Sequence, residues 1–226
     1  AEDLRETHRR AELVVAALVR ERCTVVALGG GHDFAAPNLR GFRAGGDGAV
    51  AALSFDPHLD VRPWENDLPH SGTPFRTVLD DGTLRPGALT VFGARAFRNA
   101  RAHFAFARQK KVRVVTLEAL LENETRIVPR FSAELGRLKR VAPRLAVTVD
   151  MDACHEAEGT SAAPVLGFTA RELVRAATLA GCERSVGLFE IAEAAPALDP
   201  TERVARIGAE LLGAFLRGRS EQKTKK

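Results

Sequence analysis

The sequence predicts an α/β protein built around a parallel β-sheet. Apolar segments of strand length alternate with segments of helical periodicity along almost the whole chain, which is typical of a parallel sheet covered by helices on both faces. Hydrophobic residues make up 45% of the 226 residues and charged residues 27%, which are ordinary proportions for a globular domain. Disordered, collagen-like and coiled-coil proteins are therefore excluded.

The individual elements follow from the period of the apolar residues. Strands are predicted for the continuous apolar runs at residues 23–28, 49–55, 89–93, 113–117, 145–149 and 185–191. Helices are predicted where apolar residues recur at helical spacing, at residues 4–19, 97–110, 132–141, 170–180 and 202–216. Thr169 and Glu172 have the spacing of a capping box, so they should start the fourth of these helices.

The chain shows no internal repeat and no low-complexity linker. Residues 41–48 and 80–87 are rich in glycine and are interpreted as loops within one domain. We therefore expect a single domain over residues 1–226 with a basic tail at residues 219–226. Because the chain begins within a helical pattern, we also expect it to lack an N-terminal segment.

Charge, cysteine content and hydropathy indicate which partners and which compartment the protein has. The net charge is +4, but 33 basic residues nearly balance 29 acidic ones, and no basic cluster with aromatic stacking partners is visible. The cysteines, Cys23, Cys154 and Cys182, are odd in number and form no C-x-x-C pair, so neither a disulfide framework nor a Cys-type zinc site is indicated. We expect buried thiols in a reducing compartment. No apolar run reaches the roughly 18 residues of a membrane span, and no signal peptide is recognisable. We expect a cytoplasmic protein that binds neither nucleic acid nor membrane.

Acidic and imidazole groups are concentrated after three of the predicted strands. Three glycines follow the first strand and let the backbone turn so that His32 lies at the sheet edge. Asp56, His58 and Asp60 follow the second strand, and in an extended segment these alternate residues would point at one centre. Since ligands bind at the carboxyl ends of parallel strands, this edge is the expected functional site.

A third motif completes the pattern. Asp150 and Asp152 follow the strand at residues 145–149. Each motif alone could provide only turn or capping carboxylates, but carboxylates crowded at one edge repel each other unless cations neutralise them. Four carboxylates and two imidazoles suit two cations of the Mn²⁺ type better than one tetrahedral zinc. Two such cations can activate water for attack on carbon, so metal-assisted hydrolysis is predicted.

The motifs resemble those of the ureohydrolase family, which comprises arginases, agmatinases and formimidoylglutamases. The family's G-G-x-H, D-x-H-x-D and D-x-D motifs occur in order at residues 29–32, 56–60 and 150–152. Residues 71–75, Ser-Gly-Thr-Pro-Phe, and residues 190–196, Glu-Ile-Ala-Glu-Ala-Ala-Pro, are similar to two further family segments. The glycine-rich His motif, Asp-Val-Arg-Pro at residues 60–63 and the segment at residues 71–75 resemble the formimidoylglutamase branch in particular.

The resemblance implies a three-layer arginase-type α/β fold with a mainly parallel sheet, two Mn²⁺ ions per chain and a homo-oligomer. It implies that Asp56 and Asp150 bridge both ions. One ion is completed by His32 and Asp60, and the other by His58 and Asp152. Asp60 is further implied to orient the attacking water-derived nucleophile, and Glu193 to hold the substrate; both are candidate catalytic residues.

The chain also departs from the family pattern. Pro57 stands in place of the usual Ala, Ala195 in place of Asn, and the loop at residues 153–164 is altered. Ser71 occupies a position where arginases and agmatinases carry His, and the neighbouring His70 is either a loop residue or a proton shuttle. These changes leave the predicted metal ligands intact and affect the substrate pocket.

The function predicted from these residues is hydrolysis of a C–N bond in a small amidine, most specifically N-formimidoyl-L-glutamate. Ser71, Arg62 and Glu193 are candidate substrate-binding residues. Arg62 would pair with a substrate carboxylate or form a structural ion pair. Glu193 would orient the amidinium or cap the turn at residues 195–196, with Glu190 as the alternative carboxylate. Hydrolysis of arginine, agmatine or a guanidino acid, and a noncatalytic metal-binding relative, are the alternative functions.

A few other residues are given structural roles. His8 and His103 fall on predicted helices and are expected at the surface or at an interface. Cys154 and His155 are interpreted as a small apolar residue and a loop residue. Phe97, Phe104 and Phe106 are interpreted as part of a packing surface.

Overall fold

A parallel sheet of six strands runs through the molecule in the order β1-β6-β5-β2-β3-β4. The structure, a computed structural model, describes residues 3–122 and 127–222. The strands are β1 (Val25–Leu28), β2 (Val50–Phe55), β3 (Leu89–Ala94), β4 (Arg113–Thr116), β5 (Arg144–Asp150) and β6 (Val186–Ala192). The helices are α1 (Leu4–Arg20), α2 (Ala35–Ala44), α3 (Pro74–Asp80), α4 (Arg101–Gln109), α5 (Leu117–Glu122), α6 (Ile127–Val141), α7 (Ala170–Cys182) and α8 (Arg203–Glu221).

The helices cover both faces of the sheet, which confirms the three-layer α/β fold. On one face α1 packs on α2 and α2 on α3, and the Arg76 guanidinium of α3 lies 4.4 Å from the ring centroid of Phe106 on α4. On the other face α6 packs against β2, β3 and β5, while α7 contacts β6 and α8. Within the described residues no helix is both long and apolar enough to cross a bilayer.

The order of the strands creates a crevice between β2 and β5. From β2 the chain continues to β3 and β4 toward one edge, whereas from β5 it continues to β6 toward the other edge. Adjacent parallel strands whose connections leave in opposite directions form a topological switch point, and ligands bind outside the carboxyl ends of such strands. Asp56 and Asp150 lie at this point.

The central strands are apolar because both of their faces are covered. Every residue of β2 and β3 is buried, which explains why these strands are continuous apolar runs without alternation. An aromatic cluster fills one side of the sheet, where the rings of Phe55, Phe92 and Phe168 are 5.3 to 5.7 Å apart. Gly93 of β3 makes room for it, because a Cβ there would lie 2.4 Å from the Phe168 ring.

All of the predicted strands are present, with ends that shift by one or two residues. The predicted helices are also present, although α4 begins at Arg101 instead of residue 97 and α6 begins earlier than expected, at Ile127. The capping box of α7 is confirmed, since Glu172 N donates to Thr169 Oγ1 at 3.1 Å and Thr169 N to Glu172 Oε2 at 2.8 Å.

Three helices were not predicted: α2, α3 and α5. The interpretation of residues 41–48 as a loop is therefore wrong for residues 41–44, which end α2. Gly41 is helical because α1 crosses closely there, and a Cβ at this position would lie 2.4 Å from the Glu12 carbonyl oxygen. The glycine that suggested a loop instead permits the contact between two helices.

Two statements about the extent of the domain stay predictions. They are the single domain over residues 1–226 and the missing N-terminal segment. Of the predicted basic tail, residues 219–221 belong to the end of α8, and residues 223–226 lie outside the described residues.

Candidate metal centre

Asp56 and Asp150 lie side by side because the sheet register places them there. Phe55 of β2 pairs with Val149 of β5, and each aspartate is the next residue. One oxygen of each carboxylate accepts a backbone N–H two residues on, from His58 to Asp56 at 2.6 Å and from Asp152 to Asp150 at 2.7 Å. The other oxygens face His32, whose Nδ1 lies 3.1 Å from Asp56 Oδ2 and 3.3 Å from Asp150 Oδ2.

His32 reaches this position through the glycine turn after β1. Gly29 and Gly30 have φ angles of 85° and 77°, which a residue with a side chain rarely adopts. The imidazole is fully buried, and its Nδ1 also lies 2.9 Å from Asp60 Oδ2. Its Nε2 is 2.8 Å from Thr148 Oγ1, which fixes the orientation of the ring. His32 therefore directs one nitrogen at three carboxylates.

The segment at residues 56–60 is turned and not extended, so the expectation that its three side chains share one centre is wrong. Asp60 has a left-handed backbone with φ of 50°, and its carbonyl accepts the Phe75 N–H at 3.1 Å. Asp56 and Asp60 consequently lie with His32, whereas His58 lies with Asp150 and Asp152.

The six candidate ligands form two overlapping groups. Within each group the ligand atoms lie within 4.8 Å of one another, and Asp150 belongs to both. His58 Nδ1 is 3.3 Å from Asp56 Oδ1 and 3.8 Å from Asp152 Oδ2, so Asp56 also reaches both groups. The groups are His32, Asp56, Asp60 and Asp150, and His58, Asp150 and Asp152. Two shared carboxylates between two clusters of oxygen and imidazole donors are typical of a binuclear centre.

The electrostatics of the cluster favour bound cations. Burial and the charge of Asp56 raise the pKa of Asp60 to about 7 and also raise the pKa of Asp150. Burial would raise the pKa of Asp56 as well, but the neighbouring imidazoles of His32 and His58 lower it to about 2. Burial opposes protonation of His58, yet Asp56 raises the pKa of this imidazole to about 9.

Asp56 supplies a second sign that the cluster is incomplete. Its Oδ2 is buried and accepts no hydrogen bond from the described residues. A buried carboxylate oxygen without a partner is unfavourable, and a cation satisfies it. The donor set and this oxygen together fit two divalent cations.

A cavity of about 300 Å³ opens above the two groups. Besides the candidate ligands His58, Asp60, Asp150 and Asp152, it is lined by the predicted substrate residues and by others that sequence reasoning missed. The predicted ones are Arg62, Ser71 and Glu193, and the others are Gly72, Arg98, Asn99, His103, Ser161 and Ala162.

Glu193 lies in the cavity wall beside the ligands. Its Oε1 accepts the His32 N–H at 2.8 Å, and its Oε2 accepts the Ser161 hydroxyl at 3.2 Å. The carboxylate therefore makes these contacts in place of capping the turn at residues 195–196. Glu190 is buried within the sheet, where Asn38 Nδ2 donates to it at 2.7 Å, and it does not line the cavity.

Arg62 lies across the backbone of Gly72. A Cβ on Gly72 would come within 2.2 Å of Arg62 Nε, so this glycine permits the close approach of the guanidinium. Across residues 3–122 and 127–222, no carboxylate lies within ion-pair distance of Arg62, which leaves its charge available to the cavity. His70 is a loop residue: its Nδ1 accepts the Gly72 N–H at 3.2 Å, and its Nε2 is 3.4 Å from Glu65.

Arg98 and Asn99 come from the connection between β3 and α4, and His103 comes from the first turn of α4. Sequence reasoning missed them because this connection lacks the acidic concentration that marked the other strand ends. Asn99 accepts the Leu59 N–H at 2.8 Å and donates to the Pro57 carbonyl at 2.9 Å, so it holds the ligand-bearing loop. Their position after β3, a strand adjacent to β2, was the one signal that could have indicated that they line the site.

Two histidines differ from the surface role expected of them. His103 lines the cavity, and burial together with the charge of Arg62 lowers its pKa. His8 is largely buried, with Nε2 at 2.6 Å from Asp33 Oδ2. Phe104 and Phe106 pack against the hydrophobic core as expected, whereas Phe97 is 71% exposed and contacts the Arg95 guanidinium, 4.6 Å from its ring centroid. Cys154 is buried as expected, and burial raises the pKa of its thiol to about 11, whereas the expectation of burial is wrong for Cys23, which is exposed.

The chain is similar to curated formimidoylglutamases. It is 30% identical over 196 residues to the enzyme of Halalkalibacterium halodurans, covering 86% of this chain and 60% of the relative. It is 31% identical over 173 residues to that of Bacillus subtilis, covering 76% of this chain and 54% of the relative. The chain thus spans less than two thirds of the length of these two relatives.

Solved structures show the same similarity. The crystal structure of formimidoylglutamase from Bacillus subtilis superimposes with a TM-score of 0.91 at 26% identity, covering 97% of this chain and 68% of that one. A crystal structure of Trypanosoma cruzi formiminoglutamase with Mn²⁺ has a TM-score of 0.87 at 25% identity, covering 96% and 72%. A sequence model of the Arginase family matches residues 1–217, and with the shared fold and motif order this match shows that the chain belongs to the arginase family.

Proposed function

We propose that the chain hydrolyses the C–N bond of N-formimidoyl-L-glutamate, giving L-glutamate and formamide, with two Mn²⁺ ions held by the candidate ligands. The observation that carries the proposal is the pair of acidic-imidazole groups sharing Asp150 at the base of the cavity. Its support from relatives is the similarity to formimidoylglutamases, one of which contains Mn²⁺ in its crystal structure.

His32, Asp56, Asp60 and Asp150 would hold one ion, and His58, Asp56, Asp150 and Asp152 the other. When bound, the ions supply an activated water and neutralise the carboxylates. In the overall reaction the water oxygen becomes bonded to the formimidoyl carbon, and the bond from this carbon to the glutamate nitrogen breaks. The glutamate nitrogen takes up both protons of the water and leaves as an ammonium group, and the other nitrogen of the amidinium remains as the amide of formamide.

Glu193 is proposed to hold the amidinium of the substrate. Its carboxylate lines the cavity and is oriented by the His32 N–H and the Ser161 hydroxyl. An anion fixed in this way attracts the cationic amidinium and orients its carbon toward the ligands. Because Glu193 belongs to neither ligand group, its charge is available for this role.

Asp60 is proposed to orient the attacking water, and Ser71 to form a hydrogen bond with the substrate near the reacting carbon. Asp60 lines the cavity and lies next to His32, so its carboxylate can orient the attacking water. Ser71 offers a hydroxyl at the cavity wall, whereas His70 is turned toward Glu65. We further propose a cytoplasmic homo-oligomer; no disulfide joins the described cysteines, which is typical of proteins in a reducing compartment.

The test is a Mn²⁺-reconstituted assay on formimidoylglutamate, arginine and agmatine, with formamide, urea and ammonia measured separately. We expect formamide from formimidoylglutamate at a higher kcat/KM than urea from either guanidine. More efficient release of urea would assign the chain to another activity of the family. No product from any of the three, with the metal bound, would favour a noncatalytic role.

A further inference from the structure

Two arginines in the cavity lack a carboxylate partner among the described residues. Arg62 makes no side-chain ion pair there, and the Arg98 guanidinium donates only to the Ala162 carbonyl, at 3.3 Å. Arg95, three residues before Arg98, is instead neutralised by Glu118 at 2.8 Å. The two guanidinium charges that line the cavity are therefore left available, whereas a neighbouring one is paired.

A backbone hydrogen bond fixes the main chain at each of the two arginines. Arg62 follows the ligand-bearing loop after β2, and its N–H donates to the Gly72 carbonyl at 2.8 Å. Arg98 ends the short helical turn Ala96–Arg98 after β3, and its N–H donates to the Arg95 carbonyl at 3.2 Å. Since β2 and β3 are adjacent, both residues project from neighbouring strand ends into one cavity.

His103 adds a third polar group beside them. Its Nδ1 accepts the Ala100 N–H at 3.3 Å, which leaves Nε2 as the ring atom that can donate a hydrogen bond. Burial and the Arg62 charge lower the pKa of this imidazole. An anionic group of a ligand could accept hydrogen bonds from both Arg62 and His103.

The cavity thus combines opposite charges. Asp60, Asp150, Asp152 and Glu193 form its acidic part, and Arg62 and Arg98 its basic part. A ligand that fits this distribution is cationic at its reacting group and carries more than one anionic group elsewhere. Arginine has one carboxylate and agmatine has none, whereas an N-substituted glutamate has two.

We propose that Arg62 and Arg98 each bind one carboxylate of the substrate and so make the site selective for amidines of dicarboxylic amino acids. This inference rests on the proposed function, which it refines by naming the residues that read the acid groups. A guanidinium suits the task because its planar fork matches a carboxylate in two parallel hydrogen bonds.

The experiment compares Arg62→Gln and Arg98→Gln with the Mn²⁺-loaded wild type. Arg101→Gln is the matched control, because Arg101 is an exposed residue of α4 that does not line the cavity. The substrates are N-formimidoyl-L-glutamate and N-formimidoyl-L-glutamine, in which an amide replaces one carboxylate. Each cavity variant should lower kcat/KM for the glutamate compound about 10- to 100-fold at unchanged metal content.

The amide substrate separates binding from a general structural effect. The wild type should lose about as much on it as a cavity variant loses on the dicarboxylate. One of the two variants should then cause little further loss, because the carboxylate it faces is gone. Equal losses by both variants on both substrates, or wild-type kcat/KM in both, would overturn the inference.

A binding measurement keeps this test independent of turnover. Glutarate, a dicarboxylate without an amidine, should bind the wild type and Arg101→Gln equally and each cavity variant at least about 10-fold more weakly by calorimetry. Equal binding of glutarate to all four proteins would overturn the dicarboxylate site even if formamide is released. Absence of formamide release with the expected glutarate pattern would instead refute the proposed function alone.

Discussion

The molecule buries acidic side chains at both ends of its sheet, but it neutralises only one set with its own cations. At the amino ends of β3 and β4, Glu134 is 4% exposed and lies 3.1 to 3.6 Å from three guanidinium groups. These belong to Arg113, Arg130 and Arg137. Arg137 is itself fixed by Thr90 Oγ1 at 2.6 Å.

At the carboxyl ends of β2 and β5 the balance is reversed. Four carboxylates meet two imidazoles, and a buried oxygen of Asp56 is left without a hydrogen bond. No lysine or arginine of the described chain pairs with Asp56, Asp60 or Asp150. We infer from this difference that Glu134 stabilises the fold through its arginine partners. The candidate ligands at the carboxyl ends of β2 and β5 instead require positive charge from bound cations. The following predictions test this contrast.

Asp150→Asn should have the largest effect, because Asp150 belongs to both ligand groups. We expect loss of both divalent ions, measured as metal per chain by mass spectrometry, and loss of hydrolysis with it. Asp47→Asn, at an exposed position, is the control and should retain the metal. Full activity of the wild type after thorough chelation would contradict the binuclear centre.

Glu193→Gln should separate substrate binding from metal binding within the same cavity. The variant should keep its metal and its fold, because Glu193 lies in neither ligand group. Loss of the charge that orients the amidinium should raise the barrier in kcat/KM by on the order of 2 to 4 kcal/mol. A variant with near-normal kcat/KM would assign the role elsewhere, and one without metal would show that Glu193 supports the ligands.

The affinity for Mn²⁺ should rise with pH between about 5 and 9. In the metal-free chain the pKa of Asp60 is about 7 and that of His58 about 9, and cations must displace these protons. Each displaced proton makes the affinity rise about tenfold per pH unit below the corresponding pKa. Calorimetric titrations at several pH values measure this slope.

The stability of the metal-free chain should change in the opposite direction. Because both pKa values are raised by folding, from 3.8 for Asp60 and 6.5 for His58, their contribution is present at low pH and is lost as pH rises through about 7 and 9. The increase in Tm caused by Mn²⁺ should consequently be larger at pH 8.5 than at pH 6. A larger increase at pH 6 would refute this account of the cluster.

Glu134→Gln should have the smallest effect of these variants, and the effect should be on stability and not on metal binding or activity. Three partly exposed guanidinium groups would lose their counter-charge, so the free energy of unfolding should fall by about 1 to 2 kcal/mol, measured in urea. Metal content and kcat/KM should stay at the wild-type level. Loss of metal in this variant would show that the two ends of the sheet are not independent.

The sequence alone determined the layers of the fold and the positions of the candidate ligands. Strands buried on both faces, such as β2 and β3, are apolar throughout, so they are visible without any structure. The acids after β2 and β5 are conspicuous because uncompensated carboxylates at strand ends are unfavourable. The order of three such motifs was specific enough to indicate the family.

Only the tertiary structure decided how the candidate ligands are divided between the two groups and which other residues line the cavity. The left-handed backbone at Asp60 separates it from His58, and local spacing cannot reveal such a turn. Gly41 lies in a helix because another helix crosses it. Arg98 and His103 enter the cavity because β3 is the neighbour of β2 in the sheet. Each of these results depends on contacts between distant segments, and the period of a single segment contains no information about its neighbours in space.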